Sequence, residues 1–369
     1  YFEFFPQNAR APAVLYTLSG LRKNEAYLFQ CLENYPDSPY AARALSRLAW
    51  NAYEKENYAV AAERFEKVLT TETDFQKQTR ARFVLGESYR HQELWSAGSA
   101  CFQTLEKSLN KAAENSSEAA DFGKPFLEKS VFYQGVCLAK LGEQENAVKA
   151  FDRFIETFQG SEFIPQAQLA KGSALMELKR CHDALDTLAV FDEQSARQFL
   201  EPALFYRGQA QFETGAYEAS FQTLETLLSS WPESSFYFEA KLVQGRAYAA
   251  AEKNADAVRV LSDVLSFASD ELLLNRASLE LGRAQTDPAE KLASFQRVAL
   301  LADSEKYGDL VAEALYESLP LYLELNRPQD LLTDADRLEK DFPMFGKINE
   351  TQQFCDRAKQ QEKTANEHE

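Results

Sequence analysis

Seven positions along the chain carry a small residue at a nearly fixed interval: Ala49, Gly86, Gly135, Gly172, Gly208, Gly245 and Gly282. The intervals are 37, 49, 37, 36, 37 and 37 residues, a recurrence that marks structural units stacked in a row. Such a chain enlarges its core by adding units, so 369 residues suit one solenoid as well as two ordinary domains.

The surroundings of the small residue repeat with it. Twelve residues on comes a second small residue (Ala61, Gly98, Ala147, Ala184, Ser220, Ala257), and four further a large apolar one (Phe65, Phe102, Phe151, Leu188, Leu224, Leu261). Three beyond that stand Val68, Leu105, Phe154, Phe191, Leu227 and Val264. Steps of four and three place these residues on one helix face. The first clear unit predicts a helix over Pro39–Glu54, a turn at Lys55-Glu56-Asn57 and a second helix from Tyr58. Because Gly costs about 1 kcal/mol against Ala inside a helix, its recurrence implies that the second helix of each unit lies close across the first.

The departures from the period carry their own expectations. About twelve extra residues lie between the units centred on Gly86 and Gly135, bracketed by Asn115-Ser116-Ser117 and Gly123-Lys124-Pro125. A lengthened loop or a brief helical extension is expected there, near 110–127. The unit at Gly282 reaches Phe295 after 13 residues where the others need 16, which points to a turn shortened near Thr286-Asp287-Pro288. An eighth unit has Leu319 in place of Gly, with Pro320 predicting a kink or an early turn. Residues 1–37 read as a cap with a partial repeat, 38–341 as the solenoid, and 342–369 as a second cap with a frayed tail from Gln360.

The formal charge is −17, from 57 acidic and 40 basic residues, which argues against a general nucleic-acid surface because phosphate contacts need concentrated Lys and Arg. No apolar run approaches the roughly 20 residues of a membrane helix. The sequence begins at Tyr1 rather than Met and reads as processed or trimmed, so any signal peptide or lipid anchor would be invisible in it. Its five cysteines are scattered and form no Cys-x-x-Cys pair; Cys101, Cys137 and Cys181 fall in helical patterns, where a small thiol packs inertly. Catalytic signals are poor. The histidines are His91, His182 and His368, with no His-Glu-x-x-His, P-loop or Gly-x-Gly-x-x-Gly. Neighbours in a helix such as Cys181 and His182 diverge too far to act as a nucleophile and base. No enzyme activity, cofactor or metal is expected.

With small residues at the eighth and twentieth places of each unit and Phe or Leu at the twenty-fourth, the chain resembles the tetratricopeptide repeat family from about Asn24 to Asp341. Its 37-residue spacing is longer than the family's usual ~34. That resemblance implies an all-α solenoid, an αα superhelix of about nine helical hairpins, whose first helices line a concave protein-binding surface. Three inter-unit segments, Asn34-Tyr35-Pro36-Asp37-Ser38-Pro39-Tyr40, Ser230-Trp231-Pro232-Glu233-Ser234-Ser235-Phe236 and the decayed Thr157-Phe158-Gln159-Gly160-Ser161-Glu162-Phe163, are similar to turns of bacterial cell-envelope tetratricopeptide proteins. Those proteins include the outer-membrane assembly lipoprotein and the Tol-Pal accessory protein. In these turns the aromatic ends one helix, Pro blocks its continuation and Ser caps the next.

On this reading the chain is a non-catalytic adaptor of a bacterial envelope complex, periplasmic or outer-membrane-associated, with a cytoplasmic location as the alternative. Any membrane association would be indirect or through an unseen anchor. The candidate partner-binding strip comprises Arg43, Trp50, Tyr53, Arg80, Arg90, His91, Lys129 and Lys140, with Glu87, Phe132 and Val136 on the same face. It suits a protein segment bearing acidic residues or a terminal carboxylate. Met176, Gln209, Phe212, Glu213, Arg246 and Arg283 form a weaker face further on. Two other readings stand beside this one: an assembly subunit acting through its ends, around Phe4, Phe5 and the eighth unit, or the repeat region of a larger protein or enzyme.

Overall fold

The computed structural model describes residues 10–192 and 197–366, with side chains to 363. Phe4, Phe5 and His368 lie outside the described residues. Among those residues there is helix and no strand, and the helices pair into hairpins. The chain divides into two compact units, Tyr1–Arg180 and Cys181–Glu369.

The first unit holds α1 (Ala11–Arg22), α2 (Ala26–Asn34), α3 (Pro39–Glu54), α4 (Tyr58–Thr71), α5 (Phe75–His91), α6 (Trp95–Asn115), α7 (Ser117–Lys140), α8 (Gln144–Thr157) and α9 (Ile164–Glu177). The second holds α10 (Cys181–Leu188), α11 (Arg197–Glu213), α12 (Tyr217–Ser230), α13 (Tyr237–Ala250), α14 (Asn254–Phe267), α15 (Glu271–Ala284), α16 (Pro288–Leu301), α17 (Ser304–Glu324), α18 (Pro328–Asp341) and α19 (Ile348–Asn366). Within each unit every helix packs on the next, and first helices of neighbouring hairpins also meet, as α5 with α7 and α13 with α15. Each unit is all-α, a stack of helical hairpins.

The repeated glycine is explained by one contact. A methyl group on Gly86 would lie 2.7 Å from the Phe102 ring, on Gly135 2.7 Å from Phe151, on Gly208 2.5 Å from Leu224, and on Gly245 2.6 Å from Leu261. In each case the side chain sixteen residues on, fully buried, occupies the space a Cβ would need. Ala49 admits its own Cβ opposite Phe65. In the eighth hairpin the volumes are exchanged: Leu319 is fully buried, and sixteen residues on stands the small, buried Ala335. Gly172 is buried in α9.

The hairpin turns share a backbone solution that the residue types only partly announce. Seven residues after the small one, the chain enters the left-handed region, at Glu56 (φ 58°), Glu93 (59°), Gly142 (78°), Lys179 (57°), Gly215 (81°), Glu252 (60°) and Asn326 (54°). The next amide bonds back to a carbonyl five residues earlier, as Asn57 N–H to Ala52 O at 2.9 Å and Leu94 N–H to Tyr89 O at 2.9 Å. This is the Schellman closure, which favours Gly at the left-handed residue.

Three sequence expectations need correction. The shortened unit has not lost residues from its turn: Gln285–Asp287 still separate α15 from α16, while α15 stops two residues after Gly282, where α13 runs five past Gly245. Asp287 starts α16 by accepting from Ala289 N–H (3.0 Å) and Glu290 N–H (2.9 Å). The contact survives, with a Gly282 methyl placed 2.6 Å from Phe295. Pro320 does not end its helix, which continues to Glu324 with its non-helical residue at Tyr307 (φ −125°, ψ 33°). Pro320 sits on the exposed side, where water can satisfy the carbonyl it frees. The tail from Gln360 is helical to Asn366, and the Gln361 amide donates to Leu323 O at 3.1 Å.

The insertion takes the helical alternative. It lengthens α6 to 21 residues and α7 to 24, where α4 and α8 have 14. Ser116 is the hinge, accepting from Ala119 N–H at 3.2 Å. Gly123-Lys124-Pro125 lies inside α7 rather than breaking it. Pro125 and the residue whose carbonyl it frees, Asp121, are both exposed, while Phe122 and Phe126 pack on Phe75 and Phe83 of α5.

At the three similar inter-unit segments Ser performs the same local task. Its Oγ accepts from the amide two residues on: Ser38 from Tyr40 (3.2 Å), Ser161 from Phe163 (3.0 Å) and Ser234 from Phe236 (3.0 Å). It caps a helix directly only at α3; α9 and α13 begin later. The aromatic after the Ser is the tie between neighbours, with Phe236 stacked on Phe205 at 4.7 Å and Phe163 against Phe132 at 5.2 Å.

Two stability outcomes are expected from denaturant unfolding. Gly208→Ala gains helix propensity yet costs about 1–3 kcal/mol net, because Leu224 must move, whereas Ala49→Gly costs only about 1 kcal/mol of propensity. Replacing the left-handed Glu56, Glu93 or Glu252 by Gly stabilises the chain by about 0.5–1 kcal/mol each, through relief of the left-handed backbone. Midpoints that leave this order unchanged or reverse it would contradict the corresponding reading.

Candidate partner-binding face

Three of the predicted cations occupy one register. Arg43, Arg80 and Lys129 each stand six residues before the small residue of their hairpin, on α3, α5 and α7. Each rests on an aromatic ring. The Arg43 guanidinium lies 5.1 Å from the Tyr40 ring centre, Arg80 5.6 Å from Phe122, and the Lys129 ammonium 6.0 Å from Phe163. Among the described residues none of the three has a carboxylate within ion-pair distance, and Arg43 and Arg80 are exposed. A ring face attracts a cation weakly at such sites, by roughly 0.5–1 kcal/mol, and leaves the N–H groups available to another acceptor.

Phe122 comes from the insertion. The extra helical turns of α7 therefore furnish the ring beneath Arg80, and Phe126 beside it packs on Phe122 and Phe83 at 5.5 and 5.6 Å. The irregularity of the period and the candidate face are one feature of the structure.

Arg90 is committed differently. It pairs with Glu87, Nε to Oε1 at 3.0 Å, and lies 4.8 Å over the Tyr133 ring. The Glu87 residue is 8% exposed, so this is the charge partner of a nearly buried carboxylate. Beside it, burial pushes the Tyr53 and Tyr133 hydroxyls above their ordinary pKa, with the charge of Glu87 adding to the effect. His91 is exposed, stacks on Tyr58 at 4.3 Å, and has its Nε2 3.0 Å from Arg90 Nη2.

Trp50 and Tyr53 are half-buried. Trp50 meets Phe65 edge-on at 5.3 Å and Tyr53 at 6.5 Å. Lys140 is exposed at the end of α7. Phe132 is a correction to the strip: it is buried against Phe151, Phe154 and Phe163, and the half-buried Val136 packs with it.

A half-open groove of about 910 Å³ runs along α3 towards the start of α5, with Arg43, Arg47, Trp50, Glu54, Glu72 and Lys77 on its walls. The sequence reading missed Arg47, which lies over the Tyr16 ring at 5.7 Å, and Lys77, 3.8 Å from Glu72. Their signal was available: Arg47 falls one helical turn after Arg43, on the same side.

The face proposed further along the chain is electrically closed. Arg246 sits 4.3 Å over Phe212 and 3.5 Å from Glu280, while Arg283 meets Glu280 (3.2 Å), Glu313 (2.5 Å) and Glu317 (3.6 Å). Arg43, Arg80 and Lys129 thus lie on rings without a paired carboxylate, whereas Arg246 and Arg283 lie among carboxylates.

The cysteines are packing groups. Burial lifts the Cys101 thiol to about 12 and Cys137 to about 11, and neither has a disulfide partner. Among the described residues there is no cluster of three metal-ligating side chains and no helix long and apolar enough to cross a membrane.

Comparison with known proteins agrees with this architecture. Two tetratricopeptide-repeat family models match, one over residues 129–161 and 202–234, the other over 46–98. No curated protein matches the chain. Among solved structures, the apo form of the quorum sensor NprR from B. thuringiensis is similar over 89% of this chain and 96% of its own, at 12% identity and a TM-score of 0.55. A tetratricopeptide repeat protein from Parabacteroides merdae is similar over 75% of this chain and 98% of its own, at 15% identity and a TM-score of 0.47. Hairpin packing, turn geometry and matched segments converge on one description: the matched segments are tetratricopeptide repeats, and the helical hairpins have the fold of a tetratricopeptide solenoid.

Proposed function

We propose that the protein is a non-catalytic scaffold that captures a protein segment along the first helices of its N-terminal unit. The observation that carries this reading is the row of ring-supported cations, Arg43, Arg80 and Lys129, beside a half-open groove. An extended segment with acidic side chains or a terminal carboxylate supplies what these cations lack. Arg would donate paired hydrogen bonds to it, and helices fixed by packing lower the ordering cost of the encounter.

The cellular setting we infer is a bacterial envelope complex, periplasmic or at the outer membrane. Its support is the resemblance of two aromatic-Pro-Ser turns, at Tyr35–Ser38 and Trp231–Ser234, and of the decayed turn at Phe158–Ser161, to those of envelope repeat proteins. Fractionation of the protein as its own cells produce it tests it, and a purely cytosolic pool would overturn it.

The partner surface is tested by photo-crosslinking in cells from positions 43, 80 and 129. Adducts to a common partner are expected. Arg43→Glu with Arg80→Glu should lower affinity for that partner about 100-fold, the order of ~3 kcal/mol expected for two charge-assisted contacts, without changing the unfolding midpoint. Arg90→Ala should behave otherwise, destabilising the fold by about 1–3 kcal/mol because Glu87 is left buried without its partner. Unchanged capture by the double reversal would refute the proposed face.

A further inference from the structure

The insertion that lengthens α6 also builds a hollow against α5. α6 has 21 residues where α4 and α8 have 14, and Lys111 and Asn115 stand on the added stretch. Together with Gln78, Thr79 and Arg82 of α5 and Ser108 of α6 they wall a half-open hollow of about 260 Å³. Arg80 and Arg82 are two residues apart, a turn of about 200° on a helix. Arg82 therefore points away from the partner-binding face.

Two polar groups at this hollow have nothing to bond. Arg82 is half-buried, and among the described residues its guanidinium meets no carboxylate, carbonyl or ring. Arg64 and Arg337, also half-buried, each reach a main-chain oxygen, that of Leu48 at 2.9 Å and that of Ala299 at 2.8 Å. Register shows what Arg82 lacks. Lys241 holds the same place, four residues before the small residue of its hairpin, and pairs with Asp263 at 2.9 Å. Where Asp263 stands, eighteen residues beyond the small one, the hairpin of Arg82 has Thr104. Thr79, one helical turn before Arg82, is 2% exposed and lines the same hollow, and its hydroxyl has no hydrogen-bond partner among the described residues. Leaving both groups unmatched destabilises the chain, and one acceptor placed in the hollow satisfies both.

The walls select a phosphoryl group. Arg82 and the exposed Lys111 bring two positive charges, and among the described residues on the walls none is acidic. Acids on the adjoining stretches are engaged or stand outside. Asp74 accepts from Lys77 N–H at 2.9 Å and Glu72 from Asp74 N–H at 2.9 Å, while Glu114, Glu118 and Asp121 are exposed and not on the walls. Gln78 and Asn115 each donate one amide hydrogen to a carbonyl, those of Glu72 and Lys111, and keep a second. A carboxylate is saturated by one bidentate arginine, whereas a phosphoryl dianion has oxygens enough for Arg82, Lys111, Thr79 and the spare amide hydrogens. The volume holds such a group with a few waters, at about 30 Å³ each.

We propose that this hollow binds a phosphoryl group, as the free ion or as the head of a small monoester, with Arg82 and Lys111 as its cations and Thr79 as a hydroxyl donor. The site is separate from the face of Arg43, Arg80 and Lys129. Calorimetric titration of the 369-residue chain with inorganic phosphate, at mildly alkaline pH where the dianion dominates, tests it. One binding site is expected, and Arg82→Gln and Lys111→Gln should each weaken it about tenfold or more. Thr79→Val should weaken it less, and Lys149→Gln, at an exposed lysine of α8, should leave it unchanged. Because Lys111 is exposed, its variant keeps the test decisive if Arg82→Gln alters the fold.

Phosphate should also raise the unfolding midpoint of the wild type and not that of Lys111→Gln. Competition by O-phosphoserine identifies a monoester head as the ligand and its failure identifies the free ion, the phosphoryl site standing in both cases. No saturable binding up to about 10 mM phosphate, an affinity indifferent to Arg82→Gln and Lys111→Gln, or acetate bound as tightly as phosphate overturns the inference.

Discussion

A missing Cβ decides how closely the two helices of a hairpin approach. At Gly86, Gly135, Gly208, Gly245 and Gly282 the opposing Phe or Leu occupies that space, so the interhelical distance is fixed by a side chain against backbone. The contact does not depend on chain length between its members, as the shortened unit shows by shedding the end of α15 while keeping Gly282 against Phe295. Nor does it depend on which helix supplies the bulk, since Leu319 and Ala335 exchange volumes in the eighth hairpin. Total volume at the crossing is the conserved quantity, as expected of a densely packed interior.

Much of this was legible in the sequence because the glycine marks the contact directly. Helix α3 spans Pro39–Glu54 as the first clear unit of the repeat predicts. Proline misled at positions 125 and 320 for a shared reason: local chemistry announces a lost hydrogen bond, but whether water can reach the freed carbonyl depends on which side of the helix faces out. The left-handed turn residue was hidden because Glu and Lys hold that conformation in four of the seven turns, with Gly only at 142 and 215.

The candidate face was legible as a set of cations and opaque as a set of roles. Spacing places Arg80 and Arg90 on one side of α5. It cannot reveal that Arg80 lies on a ring brought in by the insertion while Arg90 neutralises Glu87. Those differences arise from residues 42 and 43 positions away, Phe122 and Tyr133, whose rings reach α5 only through hairpin stacking. The same limit applies to Phe132, where helical phase alone does not separate a groove-lining aromatic from one buried under the next hairpin.

The common register of Arg43, Arg80 and Lys129 also sets a ruler. Successive first helices repeat about every 8–10 Å, and a polyproline II segment advances about 3.1 Å per residue with three residues per turn. One cation per hairpin therefore matches every third residue of such a segment laid across the helices, with those side chains on one side. A segment with acidic residues at every third position meets all three cations at once, whereas strict alternation brings its charges into phase with only some of them. The period of thirty-seven residues in this chain would then be read out as a period of three in its partner.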